Sequence, residues 1–249
     1  MNTKFFATNA GLKRFLTALS AAGLFAFSQS SAHAQQPRLD SMQQRVQPCI
    51  ACHDASAIDL QSGYVPRLHG KPAGYLFNQL INYQEGRRHH APMEHMVNNL
   101  SPEYLWEMAE YFSRLDEAQT PPAEPAADAA LRERGEELVF RGDPERGLAS
   151  CQACHGERLT GVEPNTPSLL GLPSHYISAQ LGAWRTGRRQ AAEPDCMQEI
   201  AQAMSPRDIQ AVARWLAALP VPEDSSADPE PAAELPMECG SVPRPEYAS

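Results

Sequence analysis

Positive charge is scarce in this sequence. Lys and Arg number 21 against 30 Asp and Glu, for a formal net charge of −9. Nucleic-acid binding needs a basic footprint, so that class is excluded. The acid is also uneven. Residues 116–128 hold four acids and no base, and the tail from 221 holds seven acids and one Arg. Charge placed on such segments tunes solubility and docking rates more than it tunes a fold. Strand patterning is missing as well, since no stretch alternates apolar and polar residues over a strand's length. The apolar or small stretch Phe15 to Phe27 is too short to cross a bilayer as a helix. Lys4, Lys13 and Arg14 flank it, and Ala32-His33-Ala34 is a small-x-small cleavage site with no lipid-attachment Cys after it. Residues 1–34 therefore read as a secretory signal peptide and not as a retained membrane anchor, so the chain is expected to be exported.

Spare cysteines are few. Six Cys in an exported chain ordinarily suggest three disulfides. Here four of them sit in Cys49-Ile-Ala-Cys52-His53 and Cys151-Gln-Ala-Cys154-His155, which leaves Cys196 and Cys239. The chain also repeats itself. PRLHGKPAGYLFNQL (66–80) followed by Gly86-Arg87-Arg88 matches PSLLGLPSHYISAQL (167–181) followed by Gly187-Arg188-Arg189, with ten identities at one offset of 101. The CxxCH motifs repeat at 102, and SPEYLWEMAEYFSRL and SPRDIQAVARWLAAL at 104. Small changes of offset are what loop insertions produce, so one module is written twice.

Both copies read as helical. Pro72 and Pro173 suit a first helical turn. Ser101 and Ser205, each followed by Pro, suit N-caps. Leu105, Met108, Ala109, Phe112 and Leu115 share one face, as do Ile209, Val212, Ala213, Leu216 and Leu219. The expected layout is all-α: module 1 over 35–115, a Pro- and Ala-rich linker over 116–128, module 2 over 129–219, and an extended Pro-rich tail over 220–249.

Two Cys separated by two residues can add to the two vinyl groups of a haem, and the next His supplies an imidazole to the iron. A zinc site would need four ligands, and a redox dithiol needs no His. Two such motifs in a duplicated exported helical chain favour two covalently bound haem c groups, on Cys49, Cys52, Cys151 and Cys154, with His53 and His155 as axial ligands. The sixth ligand has several candidates: Met93, Met96, His89, His90 and His95 in module 1, and Met197, Cys196 and Met204 in module 2. The duplication decides between them. Met93 and Met197 each stand seven residues before a repeated [LM]-Ser-Pro, whereas Met96 has Ile200 as its counterpart. Met96, Met108 and Met204 are assigned to core packing.

CxxCH, then P-x-L-x-G-x-P-x-x-Y-x-x-x-Q-L with Gly-Arg-Arg, then Met-x6-[LM]-Ser-Pro and a final helix, all doubled, resembles the dihaem cytochrome c4 family. The resemblance covers residues from about 40 to 219. It implies two tandem class I cytochrome c domains about a pseudo-twofold axis, with His53 and Met93 on one iron and His155 and Met197 on the other. It also implies periplasmic proteins, some loosely held at the membrane surface, carrying electrons from quinol-oxidising complexes (a quinol–cytochrome c reductase, for instance) towards terminal oxidases. The acidic tail and the pair Cys196/Cys239 depart from the pattern.

For Cys196 the favoured reading is a disulfide to Cys239, ahead of a thiolate ligand to haem 2 or of free thiols. Arg87 and Arg188 are the candidate propionate contacts, while Arg88 and Arg189 are assigned to solvent. The expected function is a periplasmic one-electron carrier between redox proteins. Rivals are a thiosulfate or tetrathionate oxidoreductase with a His/Cys haem, and the cytochrome subunit of a dehydrogenase such as flavocytochrome sulfide dehydrogenase. A dihaem peroxidase needs an open iron and fits less well.

Overall fold

The structure is a computed structural model and describes residues 41–54, 64–115 and 128–246. The proposed signal peptide and nearly all of the linker lie outside the described residues. The architecture is mostly helical. In chain order the helices are α1 (Met42–Arg45), α2 (Gln47–His53), α3 (Ala73–Gln84), α4 (Ala91–Val97), α5 (Pro102–Ser113), α6 (Ala129–Phe140), α7 (Cys151–His155), α8 (Ser174–Arg185), α9 (Cys196–Ala203) and α10 (Pro206–Ala217). A two-stranded antiparallel ladder, β1 (Gly161–Val162) with β2 (Thr166–Pro167), follows α7. At two residues per strand it is shorter than any alternation a sequence can display.

Each module has its own core. In module 1, α5 starts where Ser101 accepts a hydrogen bond from the Tyr104 amide. Its buried stripe of Leu105, Trp106, Met108, Ala109 and Phe112 packs on Leu76, Phe77 and Ile81 of α3. The Phe77 and Trp106 rings meet edge to face at 5.4 Å. In module 2, α10 opens with a capping box between Ser205 and Asp208. It buries Ile209, Val212, Ala213 and Leu216 against Leu138, Val139 and Leu181. Gly135 on α6 lets α10 approach, because a Cβ there would lie 2.5 Å from the Ala211 carbonyl oxygen. Pro72 and Pro173 stand at the N-cap positions of α3 and α8, one residue before the expected first turn.

Two polar devices shape module 2. Asp208, only 5% exposed, accepts from Arg134 Nε (3.0 Å) and Arg146 Nη1 (2.9 Å) and from the Ser205 amide. The other device is the tail, which runs as a strap. Arg158 holds Asp224 and Asp228. The Asp228 backbone bonds to Gly161 and Glu163 beside β1. Farther on, Gly240 donates to the Pro194 carbonyl (2.8 Å) and Val242 to the Asn78 side chain (2.9 Å). Arg244 lies 4.7 Å over the Trp106 ring. The strap thus begins on module 2 and ends on module 1. Its acids are not all idle solvent charges, contrary to expectation, because two of them anchor it.

Burial alone would raise the Asp208 carboxyl pKa, but hydrogen bonds from Arg146, Ser205 and Arg134 outweigh it and hold it well below its ordinary 3.8. A depressed carboxyl pKa stabilises the fold above the unfolded value, and the gain is lost as pH falls below it. Asp208→Asn is expected to lose about 2 kcal/mol at pH 7 in chemical denaturation. The deficit should shrink as pH drops below about 4. A deficit independent of pH would contradict the ion-pair account.

Candidate functional site

A helical turn places Cys49, Cys52 and His53 on adjacent faces at the end of α2, and Cys151, Cys154 and His155 likewise on α7. Ser150 starts α7 by accepting from the Ala153 amide. Both imidazoles are buried, and burial pushes both pKa values down, which favours the neutral ring near pH 7. His53 Nδ1 lies 2.7 Å from the Pro66 carbonyl oxygen, and His155 Nδ1 lies 2.8 Å from that of Pro167. A carbonyl only accepts, so Nδ1 carries the proton and Nε2 is free to ligate. This role of Pro66 and Pro167 was not inferred from sequence, although both open the P-x-L-x-G repeat.

All six motif residues line one cavity of about 1860 Å³, which both modules share. Pockets for a single ligand run to about 300–1,000 Å³, so two large groups fit here. Met93 on α4 and Met197 on α9 also line it. Each is half-buried and sits four residues before an inward anchor, Val97 and Ala201 respectively. Met108 and Met204 are buried, as expected of core residues. Met96, also assigned to the core, is instead 43% exposed, because short α4 turns its inner face through Met93 and Val97. His89, His90 and His95 are exposed. Among the described residues no group of three or more His, Cys, Asp or Glu is placed to hold a bare metal ion.

Cys196 and Cys239 form a disulfide with Cα atoms 5.3 Å apart. The link ties the strap to the first residue of α9, next to Met197.

The arginines reverse expectation. Arg87 is held by Asn82 and Glu85 and does not line the cavity, and Arg188 is exposed at its edge. The buried guanidinium groups are those of Arg88 and Arg189, at 8% and 5% exposure. The cause is the turn. Gly86 and Gly187 both take φ of +70°, a conformation that favours glycine. Both following amides then bond back to one helix carbonyl, that of Asn82 or Ala183. This aims the second Arg, not the first, back over its helix.

Comparison with known proteins identifies the family. A family model described as cytochrome c matches residues 133–220. A thiosulfate dehydrogenase electron acceptor of Thiomonas intermedia is 36% identical over 87% of this chain and 95% of its own length. A cytochrome c4 of Pseudomonas aeruginosa is 30% identical over 69% and 83%. The chain belongs to the dihaem cytochrome c4 family. The solved cytochrome c4 of Pseudomonas stutzeri shares its fold, with a TM-score of 0.58 and 29% identity over 72% of this chain and 96% of that one. A solved thiosulfate dehydrogenase of Marichromatium purpuratum gives 0.60 and 34% over 69% of this chain, which spans about a third (36%) of that longer one.

This cytochrome is an electron carrier, not an enzyme, and binds two covalent haem c groups. Its residues fit them. The cavity wall is largely apolar, with paired thiols and a neutral imidazole in each half. The Trp184 indole N–H is buried, lines the cavity and has no hydrogen-bond partner among the described residues, so it is a donor suited to a haem carboxylate. No helix among the described residues is long and apolar enough to cross a membrane.

Replacing both Cys196 and Cys239 by Ser opens a loop between residues 43 apart in sequence. The expected loss is up to about 4 kcal/mol in denaturant unfolding, with earlier proteolysis after residue 219. Unchanged protection of the tail would mean that Arg158 and Asn78 hold the strap without the disulfide.

Proposed function

We propose that His53 with Met93 and His155 with Met197 are the axial pairs, and that Cys49, Cys52, Cys151 and Cys154 carry the thioether links. We further propose that the protein works in the periplasm, taking electrons from a thiosulfate-oxidising dehydrogenase and passing them to a further redox protein. The observation that carries the donor is the 36% identity to a thiosulfate dehydrogenase electron acceptor over 95% of that protein. That match spans 216 residues, more than the two modules occupy. The Marichromatium purpuratum neighbour supports the same pairing. The cytochrome c4 relatives support the broader reading, in which a quinol-oxidising complex is the donor and a terminal oxidase the acceptor.

The ligand assignment rests on geometry and chemistry. Met93 and Met197 occupy equivalent places on α4 and α9, in the cavity their motifs share. Cys196 is engaged with Cys239, which argues against a His/Cys haem. A disulfide also suits an oxidising compartment. When bound, each haem supplies a one-electron couple, and a thioether ligand raises its potential and leaves no open position. The chain's own part is to hold the His53 and His155 rings by Nδ1, to keep water from the iron faces, and to set the charge around them. No substrate pocket is required, and docking should be transient.

The ferric protein should show far-red methionine–iron charge-transfer absorption equal to two Met equivalents. Met93→Ala and Met197→Ala should each remove one, and Met96→Ala none. One equivalent in the unaltered protein would sink the symmetric assignment. For the donor, haem reduction would be followed in stopped flow with thiosulfate and a purified thiosulfate dehydrogenase. Saturable reduction is expected, and reduction only by a quinol-oxidising complex would move the protein to the broader reading.

A further inference from the structure

The helices that carry Met93 and Met197 are not held alike. Between the Gly-Arg-Arg turn and the methionine, module 1 has residues 89–92 and module 2 has residues 190–196. The repeat offset grows here from 101 at Arg88 and Arg189 to 104 at Met93 and Met197. A longer loop costs more entropy to hold in one place. The far ends of the two helices are nonetheless fixed in the same way. Gln84 Nε2 donates to the Leu100 carbonyl (2.8 Å) after α4, and Arg185 Nε, its repeat counterpart, donates to the Met204 carbonyl (3.0 Å) after α9. The near ends differ. At the start of α4 the contact is local, with the His90 amide donating to Glu94 Oε1 (2.9 Å). At the start of α9 it comes from the far end of the chain, because Cys196 is bonded to Cys239. Module 1 has no Cys outside its CxxCH motif, so it has no such bond.

The strap joins this near end to the opposite wall of the cavity. At Asp228 it lies on the hairpin: its amide donates to the Gly161 carbonyl (2.9 Å), its carbonyl accepts from the Glu163 amide (2.8 Å), and its carboxylate accepts from Arg158 Nη2 (2.9 Å). Gly161 in turn pairs with Pro167 of β2, whose carbonyl orients His155. At its other anchor, Gly240 donates to the Pro194 carbonyl (2.8 Å) in the lengthened loop. It packs so closely there that a Cβ would strike the Ala192 and Glu193 carbonyls. Between these anchors Pro231, Glu234, Leu235, Met237 and Glu238 line the cavity. One segment therefore ties the wall that orients His155 to the helix that carries Met197. The disulfide acts on Met197 across a single peptide unit.

We propose that the strap is a clamp on the second haem site and that Cys239 is a positioning residue for Met197. The inserted residues lengthen the loop that leads to this ligand. The disulfide offsets them by pinning the first turn of α9 to the hairpin behind His155. While the clamp is closed, the thioether stays on the iron and keeps the potential of that haem high. When it is open, the first turn of α9 can unfold locally and the sixth position admits another ligand. The first site needs no clamp, because its loop is short. The inference rests on Met197 as an axial ligand, but not on the identity of the donor or the acceptor.

The test is imidazole binding to the full ferric dihaem protein, followed in stopped flow by the loss of far-red absorption, with a redox titration of the same samples. The unaltered chain is compared with Cys196→Ser/Cys239→Ser. Both cysteines are replaced so that no free thiol is left beside the iron. Each chain is also made with Met93→Ala, which leaves only the far-red band of the second site and so assigns the phases. Opening the disulfide should speed imidazole entry at the second haem on the order of tenfold, a fraction of what closing a loop of this length can contribute. It should also lower the potential of that haem. The first haem should keep its rate and its potential. Unchanged rates and potentials, with only a lowered Tm and earlier cleavage of the tail, would reduce the strap to a structural tie and overturn the proposal. An acceleration shared equally by both haems would overturn it too, as the mark of general loosening. Should the double variant not fold, Arg158→Gln loosens the other end of the strap. A smaller acceleration confined to the second haem is then expected, and an unchanged rate would overturn the clamp. Failure of the ligand assignment registers separately, since the Met93→Ala chain with its disulfide intact would then have no far-red methionine band to lose.

Discussion

The hydrogen bond from each buried imidazole to a proline carbonyl, 2.7 Å in one module and 2.8 Å in the other, is the contact on which both haem sites turn. It selects one tautomer, points Nε2 into the cavity and fixes the ring plane. The helix bearing CxxCH and the P-x-L-x-G segment must meet for it to form. The cores of α3 with α5 and of α6 with α10 hold that meeting in place. Ordinary helix burial supplies the stability, and the polar contact supplies the aim.

Duplication gives the molecule its symmetry, and the tail breaks it. The seam between the modules keeps the symmetry to the level of single atoms, since Arg88 donates to Gln180 and Arg189 donates to Gln79. The strap has no counterpart in module 1. It fastens to Arg158, to β1 and, by a disulfide, to the residue before Met197, then crosses to Asn78 and Trp106. The two sites therefore differ in their surroundings while each sets a buried histidine against a proline carbonyl. Lys71, which faces Leu172 in the repeat, adds a second difference. Inequivalent surroundings are what separate the potentials of two like haems.

Much of this was legible in advance. CxxCH is a local motif, and its chemistry depends on spacing along one helical turn. Ser-Pro caps and one-sided apolar stripes are likewise local, so α5 and α10 could be read almost to the residue. Errors arose where a side chain's direction depended on a turn. The pair Arg-Arg looks the same from sequence at either position, and only the +70° φ of Gly86 and Gly187 decides which one goes inside. Met96 was misplaced for a related reason, since a two-turn helix leaves its inner face to be chosen by what packs beneath it.

By itself, the sequence determined the chemistry and the count: two haem attachment motifs, two repeated modules, helices with marked starts, and an excess of acid that rules out nucleic acid. These properties are carried by covalent spacing and by periodicity, which exist before folding. Tertiary structure alone decided which carbonyl holds each histidine, which arginine of each pair is buried, how the modules share one cavity, and where the tail is tied. Each depends on groups far apart in the chain being brought within about 3 Å, and hydrogen bonds act only at that range.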